Sequence, residues 1–297
     1  MFKIISDGGC DFSKDEAKKQ NVDVVPFYIS FDDESHLKEG VDISKEAFFK
    51  RLMADKGLFP KTSQPSPQDY IDVYKPYLDA GEDILTLTIS SKLSGSHASA
   101  VMAVDMLKEE YPDRNIIVID SLNVSIGQGL ILGEIIKMRD AGYDIQKTTK
   151  LAKKILTATR VYCTLNSLEY LRRGGRIGPT TAVVGGLLGL RPILQLENGE
   201  VSQLDSVRGK KNAIKLIAKA LVAVLKDKTE QISLSIGHIL SEEDAIAFKS
   251  DAETALNMRI ESPITEVGVT IGSHAGPGAL AFAYCGRYEV FERGEKA

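Results

Sequence analysis

Apolar and polar positions along the first half of the chain alternate between two periods. Short runs rich in β-branched and apolar residues occur at Phe2–Ser6, Val22–Phe31, Ile84–Ile89 and Asn115–Asp120. Between them lie stretches with helical spacing at Ser44–Ala54, Pro67–Leu78, Gly95–Tyr111, Val124–Ala141 and Ile145–Leu156. Strand–helix alternation of this kind predicts a parallel sheet covered by helices on both faces. In such sheets ligands gather beyond the carboxyl ends of the strands. Three polar turns fall at such ends: Asp7-Gly8-Gly9, Ser90 to Ser96, and Asp120-Ser121.

The pattern changes near Arg160. Strand-like runs follow at Arg160–Leu165, Pro192–Glu197, Val201–Arg208, Gln231–His238, Arg259–Val267 and Ala279–Tyr284, with helices at Lys210–Leu225 and Glu242–Leu256. Glu197-Asn198-Gly199-Glu200 between two of these runs predicts a hairpin, and hence a mixed or antiparallel sheet. The fold class expected is α/β in two domains. Residues 1–159 form an N-terminal α/β domain with a parallel sheet flanked by helices. Residues 160–297 form a C-terminal mixed-sheet α/β domain.

Composition narrows the function. At 297 residues, with 43% hydrophobic and 26% charged residues and a net charge of −4, the chain is ordinary for a globular protein. An acidic balance with 7% aromatic residues gives no footprint for nucleic acid. The first residues, Met1 to Asp7, have the look of a strand and not of a signal peptide. No apolar run approaches the roughly 20 residues of a membrane span. Cys10, Cys163 and Cys285 are few and far apart, which fits a reducing cytoplasm. The four histidines, His36, His97, His238 and His274, have no metal-ligand spacing, and no cofactor is implied. Gly127-Gln128-Gly129 lies in a helical stretch, and there is no Walker sequence or G-x-S-x-G elbow.

Four segments carry candidate chemistry. Ile89-Ser90-Ser91-Lys92-Leu93-Ser94-Gly95-Ser96 is a hydroxyl-rich turn from strand to helix. A helix that starts at Ser94-Gly95 offers backbone N–H groups and a positive dipole end to a small anion, and Ser94 adds a hydroxyl. Read alone, Ser94 is an N-cap. Lys61 to Pro67 is a polar loop in which Ser66 caps the next helix. Leu171-Arg172-Arg173-Gly174-Gly175-Arg176-Ile177-Gly178 sets three arginines around paired glycines, a density that points to an anion or a partner. Ile271 to Gly278 places His274 in a glycine-rich loop, where a neutral imidazole can orient an anion.

Taken in order, these segments make the chain resemble the DegV family, the fatty-acid-binding proteins that include the FakB subunits of bacterial fatty acid kinase. The resemblance spans essentially the whole chain: Ser6-Asp7 with Asp11, Lys61-Thr62-Ser63-Gln64-Pro65, Ser90-Ser91 with Leu93-Ser94-Gly95, Ile119-Asp120-Ser121, Gly174-Gly175-Arg176-Ile177, Arg208, and His274 with Gly276 and Gly278. Gly8-Gly9-Cys10 stands where Ser or Thr is frequent, Ser96 where Thr is common, and Gly209 where Thr is frequent after the arginine. The resemblance implies two α/β domains holding a long-chain fatty acid between them. It implies Thr62, Ser94 and His274 as carboxylate ligands, with Gly95, Ser121, Arg176 and Arg208 as secondary ligand or partner contacts.

The function expected is a carrier and not an enzyme. It binds a long-chain fatty acid and presents the carboxylate to a separate fatty acid kinase catalytic subunit, which uses ATP to form the acyl phosphate. Transient membrane contact belongs to the same expectation, and phospholipid metabolism is its setting. The apolar stretch Ala182 to Leu190 is a candidate wall for the tail, or a core helix of the second domain. Two alternatives stand beside the carrier. One is a serine hydrolase built from Ser94, His274 and Asp120, acting on lipid-like esters. The other is a module that binds a phosphorylated small molecule through the arginine–glycine turn.

Overall fold

The computed structural model describes residues 2–32, 35–55, 57–177, 190–225 and 228–296. In chain order the first half runs β1 (Phe2–Asp7), α1 (Lys14–Lys19), β2 (Val22–Val25), β3 (Tyr28–Ser30), β4 (Leu37–Lys38), α2 (Lys45–Ala54), β5 (Lys61–Ser63), α3 (Pro67–Asp79), β6 (Asp83–Thr88), α4 (Ser96–Leu107), β7 (Ile116–Asp120), α5 (Ile126–Asp140) and α6 (Ile145–Ala158). The second half runs β8 (Arg160–Thr164), α7 (Glu169–Gly174), β9 (Leu190–Glu197), β10 (Glu200–Arg208), α8 (Lys210–Leu225), β11 (Ile232–His238), α9 (Glu242–Leu256), β12 (Ile264–Glu266), α10 (Val269–Ala275), β13 (Leu280–Gly286) and α11 (Tyr288–Lys296).

Among the described residues these strands form three sheets. The first has the order β2-β1-β6-β7, parallel throughout. Its strands therefore all end on one edge, as the alternation predicts. The second has the order β10-β9-β8-β13-β11-β12 and is mixed, since only the β11–β12 pair is parallel. The expected hairpin is present between β9 and β10. Asn198 and Gly199 have φ of 52° and 86°, the left-handed pair that a two-residue turn requires.

The third sheet, β4-β3-β5, is antiparallel and corrects the expected strand Val22–Phe31. Pro26 has no N–H to continue the ladder, so the chain leaves the first sheet after Val25 and joins another as β3. The polar loop expected from Lys61 is also partly a strand: Thr62 of β5 pairs with Ile29 of β3. Three residues are too few for alternation to register.

The helices α5 and α6 lie between the two large sheets. Ile131, Leu132 and Ile135 of α5 are fully buried, in one cluster with Leu85 and Ile119 of the first sheet and Leu196, Ala283 and Cys285 of the second. One apolar core therefore fastens the parallel sheet to the mixed one. At roughly 25 cal/mol per Å² of apolar surface, such burial outweighs any single polar contact across the junction. Among the described residues no helix is long and apolar enough to cross a membrane.

Candidate functional site

The parallel edge of the first sheet faces β8 and β9 of the second across a cavity that is partly open to solvent. Leu93 and Val124 line it from the turns after β6 and β7. Leu165, Leu194 and Val201 line it from the second sheet. Its polar groups gather together: Thr62, Gln64, Ser94, Arg176, Thr270 and His274. An apolar chamber with a few converging polar groups is the usual form of a small-molecule site.

His274 and Thr62 meet here. The imidazole Nε2 lies 2.7 Å from the Thr62 hydroxyl oxygen. His274 was expected in a glycine-rich loop. It lies instead in the last turn of α10, a seven-residue helix that ends at Gly276. So short a helix, with Gly272 inside it, leaves little periodicity to read. Burial, and secondarily the Arg176 charge, pull the His274 pKa down to about 4, so the ring is neutral at pH 7. Its Nδ1 is buried without a hydrogen-bond partner, close under Gly174. The neutral ring carries one N–H and shares a hydrogen bond with the Thr62 hydroxyl at the cavity wall.

Ser94 stands opposite. Helix α4 begins at Ser96 and not at Gly95, and Gly95 is its N-cap. The Ser94 hydroxyl accepts from the Ser96 N–H at 3.2 Å and also lines the cavity. The Gly95 N–H donates to Gln64 Oε1 at 3.1 Å. The Gly95 and Ser96 N–H groups of the turn are thus paired within the protein. Gln64 stands in the Thr62-Ser63-Gln64-Pro65 motif. Only the fold brings it against α4. An added Cβ on Gly95 would lie 2.3 Å from the Gln64 amide and would displace that side chain.

Asp7 organises this edge from below. It is fully buried and accepts from Gly9 N–H, Ile89 N–H, the Ser96 hydroxyl and Gln128 Nε2, at 3.1, 3.0, 2.7 and 2.9 Å. Burial raises its pKa, and these four donors act against that rise. The carboxylate thus ties the ends of β1 and β6 to the first residue of α4.

The arginine–glycine segment is a helix with a left-handed cap at Gly175. Arg172 and Arg173 both pair with Glu169, three and four residues before them, and Arg173 also lies over the Phe59 ring. This removes two of the three arginines from an anion site. Arg176 alone turns inward, donating from Nε to Leu93 O at 3.1 Å and from Nη1 to Gly174 O.

Two expected contacts lie elsewhere. Ser121 is buried in its own turn, donating to Asn123 O and accepting from Asn123 N–H, both at 3.0 Å. Arg208 is exposed at the end of β10, and neither residue lines the cavity. Residues 182–189 of the expected tail wall lie outside the described residues, and Leu190 begins β9. The hydrolase constellation is not assembled. Asp120 accepts from the Ser91 and Leu122 N–H groups, and among the described residues no carboxylate meets His274 Nδ1, where a triad needs one. Among the described residues no cluster of His, Cys, Asp or Glu could hold a metal ion.

A family model described as an uncharacterised protein of the DegV family matches residues 1–287. The chain belongs to the DegV family. A DegV domain-containing protein of Caldanaerobacter subterraneus subsp. tengcongensis is 34% identical over 280 residues, 93% of this chain and 95% of the relative. A stearic-acid-binding protein from Eubacterium ventriosum has the same fold, with a TM-score of 0.93 at 30% identity, over 98% of this chain and 100% of that one. A DegV family protein from Thermus thermophilus, described by its fatty acid binding, superposes with a TM-score of 0.85 at 30% identity, over 96% and 99%. The expected DegV-like α/β fold is therefore observed.

Proposed function

We propose that this DegV protein binds one long-chain fatty acid in the cavity between its two large sheets. The carboxylate is held by Thr62, Ser94 and His274, and the tail by the apolar walls. The observation that carries this is the Thr62–His274 pair at 2.7 Å, set with Ser94 among the polar groups of an otherwise apolar cavity. The physical division of labour supports it. Each buried methylene contributes roughly 0.8 kcal/mol, so about 14 of them contribute on the order of 11 kcal/mol gross. Charge-assisted hydrogen bonds of roughly 1.5–3 kcal/mol each offset desolvation of the head group and fix its orientation.

In this proposal the chain is a carrier and not an enzyme. Residues 1–159 form one domain with the carboxylate-binding loops, and residues 160–297 form a second with much of the acyl wall. The carrier presents its carboxylate to a separate ATP-dependent kinase that makes the acyl phosphate, and exchanges its acid by transient contact with a membrane, in the cytoplasm. Arg176, beside the head group, meets the transferred phosphoryl or the partner. Arg208, exposed on β10, is a partner contact, and Ser121 supports the turn after β7. The test is calorimetry with palmitic acid on the delipidated protein, followed by acyl phosphate formation with an added kinase subunit and ATP. Absence of binding defeats the carrier. Binding without phosphorylation by any cognate kinase defeats the kinase role alone.

A further inference from the structure

Helix α10 carries His274 at its C-terminal end, and its N-terminal end is held by two acidic side chains from the first half of the chain. The Gly268 N–H donates to Asp11 Oδ1 at 2.9 Å. The Val269 N–H and the Thr270 hydroxyl donate to the two oxygens of Glu39, at 2.6 and 2.5 Å. The N-cap residue, Gly268, has no side chain of its own to cap with, and a Cβ there would lie 2.9 Å from both carboxylates. The first N–H groups of this helix are thus satisfied by residues more than two hundred positions earlier. Asp11 is itself fixed by the Ser125 hydroxyl at 2.5 Å, and Glu39 by its own N–H to Phe27 O at 2.9 Å.

We propose that Asp11 and Glu39 are positioning residues that clamp the N-terminus of α10 and so hold His274 against Thr62 at the carboxylate site. This rests on the fatty-acid reading above. The helix is a short rigid rod. His274 lies five residues beyond Val269, about 7.5 Å along the axis at 1.5 Å per residue. Midway, Gly272 sits so close to Phe49 that an added Cβ would be 2.7 Å from the ring, which leaves the rod no room to slide. A carboxylate at the positive end of a helix dipole favours this seat to the extent that it is ionised. Placing them together has a cost. Burial raises both pKa values, Asp11 to about 7, and their mutual repulsion adds to the Asp11 rise, while Lys45 nearby counters it in both. A plain N-cap residue at position 268 would cap the helix without that cost, but it would not tie the helix to the half of the chain that carries Thr62.

The test compares palmitic acid with hexadecanol, which shares the chain and lacks the carboxylate, on delipidated wild type, Glu39→Ala and the more conservative Glu39→Gln and Asp11→Asn. Wild type should bind the acid well above the alcohol. The variants should lose roughly ten-fold in acid affinity, about one slackened charge-assisted hydrogen bond, with alcohol affinity nearly unchanged. The His274 ring resonances in histidine-labelled protein, assigned with His274→Asn, should move in step. If wild type binds neither ligand, the fatty-acid reading fails. If wild type binds the acid and the folded variants keep its preference with an unmoved His274 signal, or lose both ligands equally, the clamp does not position the head group.

Discussion

His274 and Thr62 are 212 residues apart in sequence and 2.7 Å apart in space. The contact joins the end of a short helix beside the mixed sheet to the central residue of a three-residue strand. The histidine thereby fixes the orientation of the Thr62 hydroxyl at the cavity wall. Truncating Thr62 or Ser94 should each weaken fatty acid binding by roughly 1–3 kcal/mol, the range for removing one partner of a buried polar group. Ser66→Ala is the control. Ser66 caps α3 in a reciprocal capping box with Asp69, so its loss should cost about 1 kcal/mol of stability and leave affinity unchanged. Isothermal calorimetry and urea denaturation on the same three variants separate the two effects.

The depressed His274 pKa sets a pH dependence of known sign. The unfolded histidine takes a proton near 6.5 and the folded one only near 4. Between these values the unfolded chain binds more protons, so stability should fall as pH drops from about 6.5 to about 4, by at most about 3 kcal/mol from this residue. The raised Asp11 pKa works the other way over its own window, so only a difference isolates the histidine. The unfolding free energy of wild type minus that of His274→Gln should rise with pH across this window. A flat difference would mean that the ring is not buried as a neutral group.

Gly95→Ala should lower affinity although its φ of −77° suits any residue, because the new methyl would strike Gln64 and displace it from the head of the cavity. Gln64→Ala makes room for that methyl. The double variant should therefore bind better than the sum of the single losses predicts, with a coupling of roughly 0.5–3 kcal/mol in a double-mutant cycle. Strict additivity would show that the two residues do not meet.

Arg176→Ala should leave bound lipid intact and slow acyl phosphate formation with an added kinase and ATP. The guanidinium is fastened to Leu93 and Gly174 carbonyls and stays charged, so it suits a group whose charge appears only during transfer. Mass spectrometry of bound lipid followed by a phosphorylation assay decides this. Lost lipid would place Arg176 among the ligands of the carboxylate itself.

The parallel sheet was legible because period-two runs alternate with long helical ones, and the hairpin because Asn198-Gly199 is a strong local signal. The three-stranded sheet was not, since β4 and β5 are two and three residues long and Pro26 splits what reads as one strand. Thr62, Ser94 and His274 could be named from motifs, and they do line one cavity. Their support could not be named. Gln64 against Gly95, and Asp11 and Glu39 on α10, depend on contacts between distant segments that no local pattern encodes. The arginine cluster misled for the opposite reason. Glu169 lies one helical turn before Arg172 and Arg173, so a local ion pair, and not a ligand, accounts for both.

We propose that this cavity holds a fatty acid by its carboxylate. Quantitative lipid extraction from freshly purified, folded protein tests it most directly, with wild type beside the Thr62→Ala, Ser94→Ala double variant. Wild type should yield about one free long-chain fatty acid per chain, since a preformed apolar cavity scavenges lipid from the cell, and the double variant should yield far less. Trace fatty acid from the wild type, or equal occupancy in the two proteins, would contradict it.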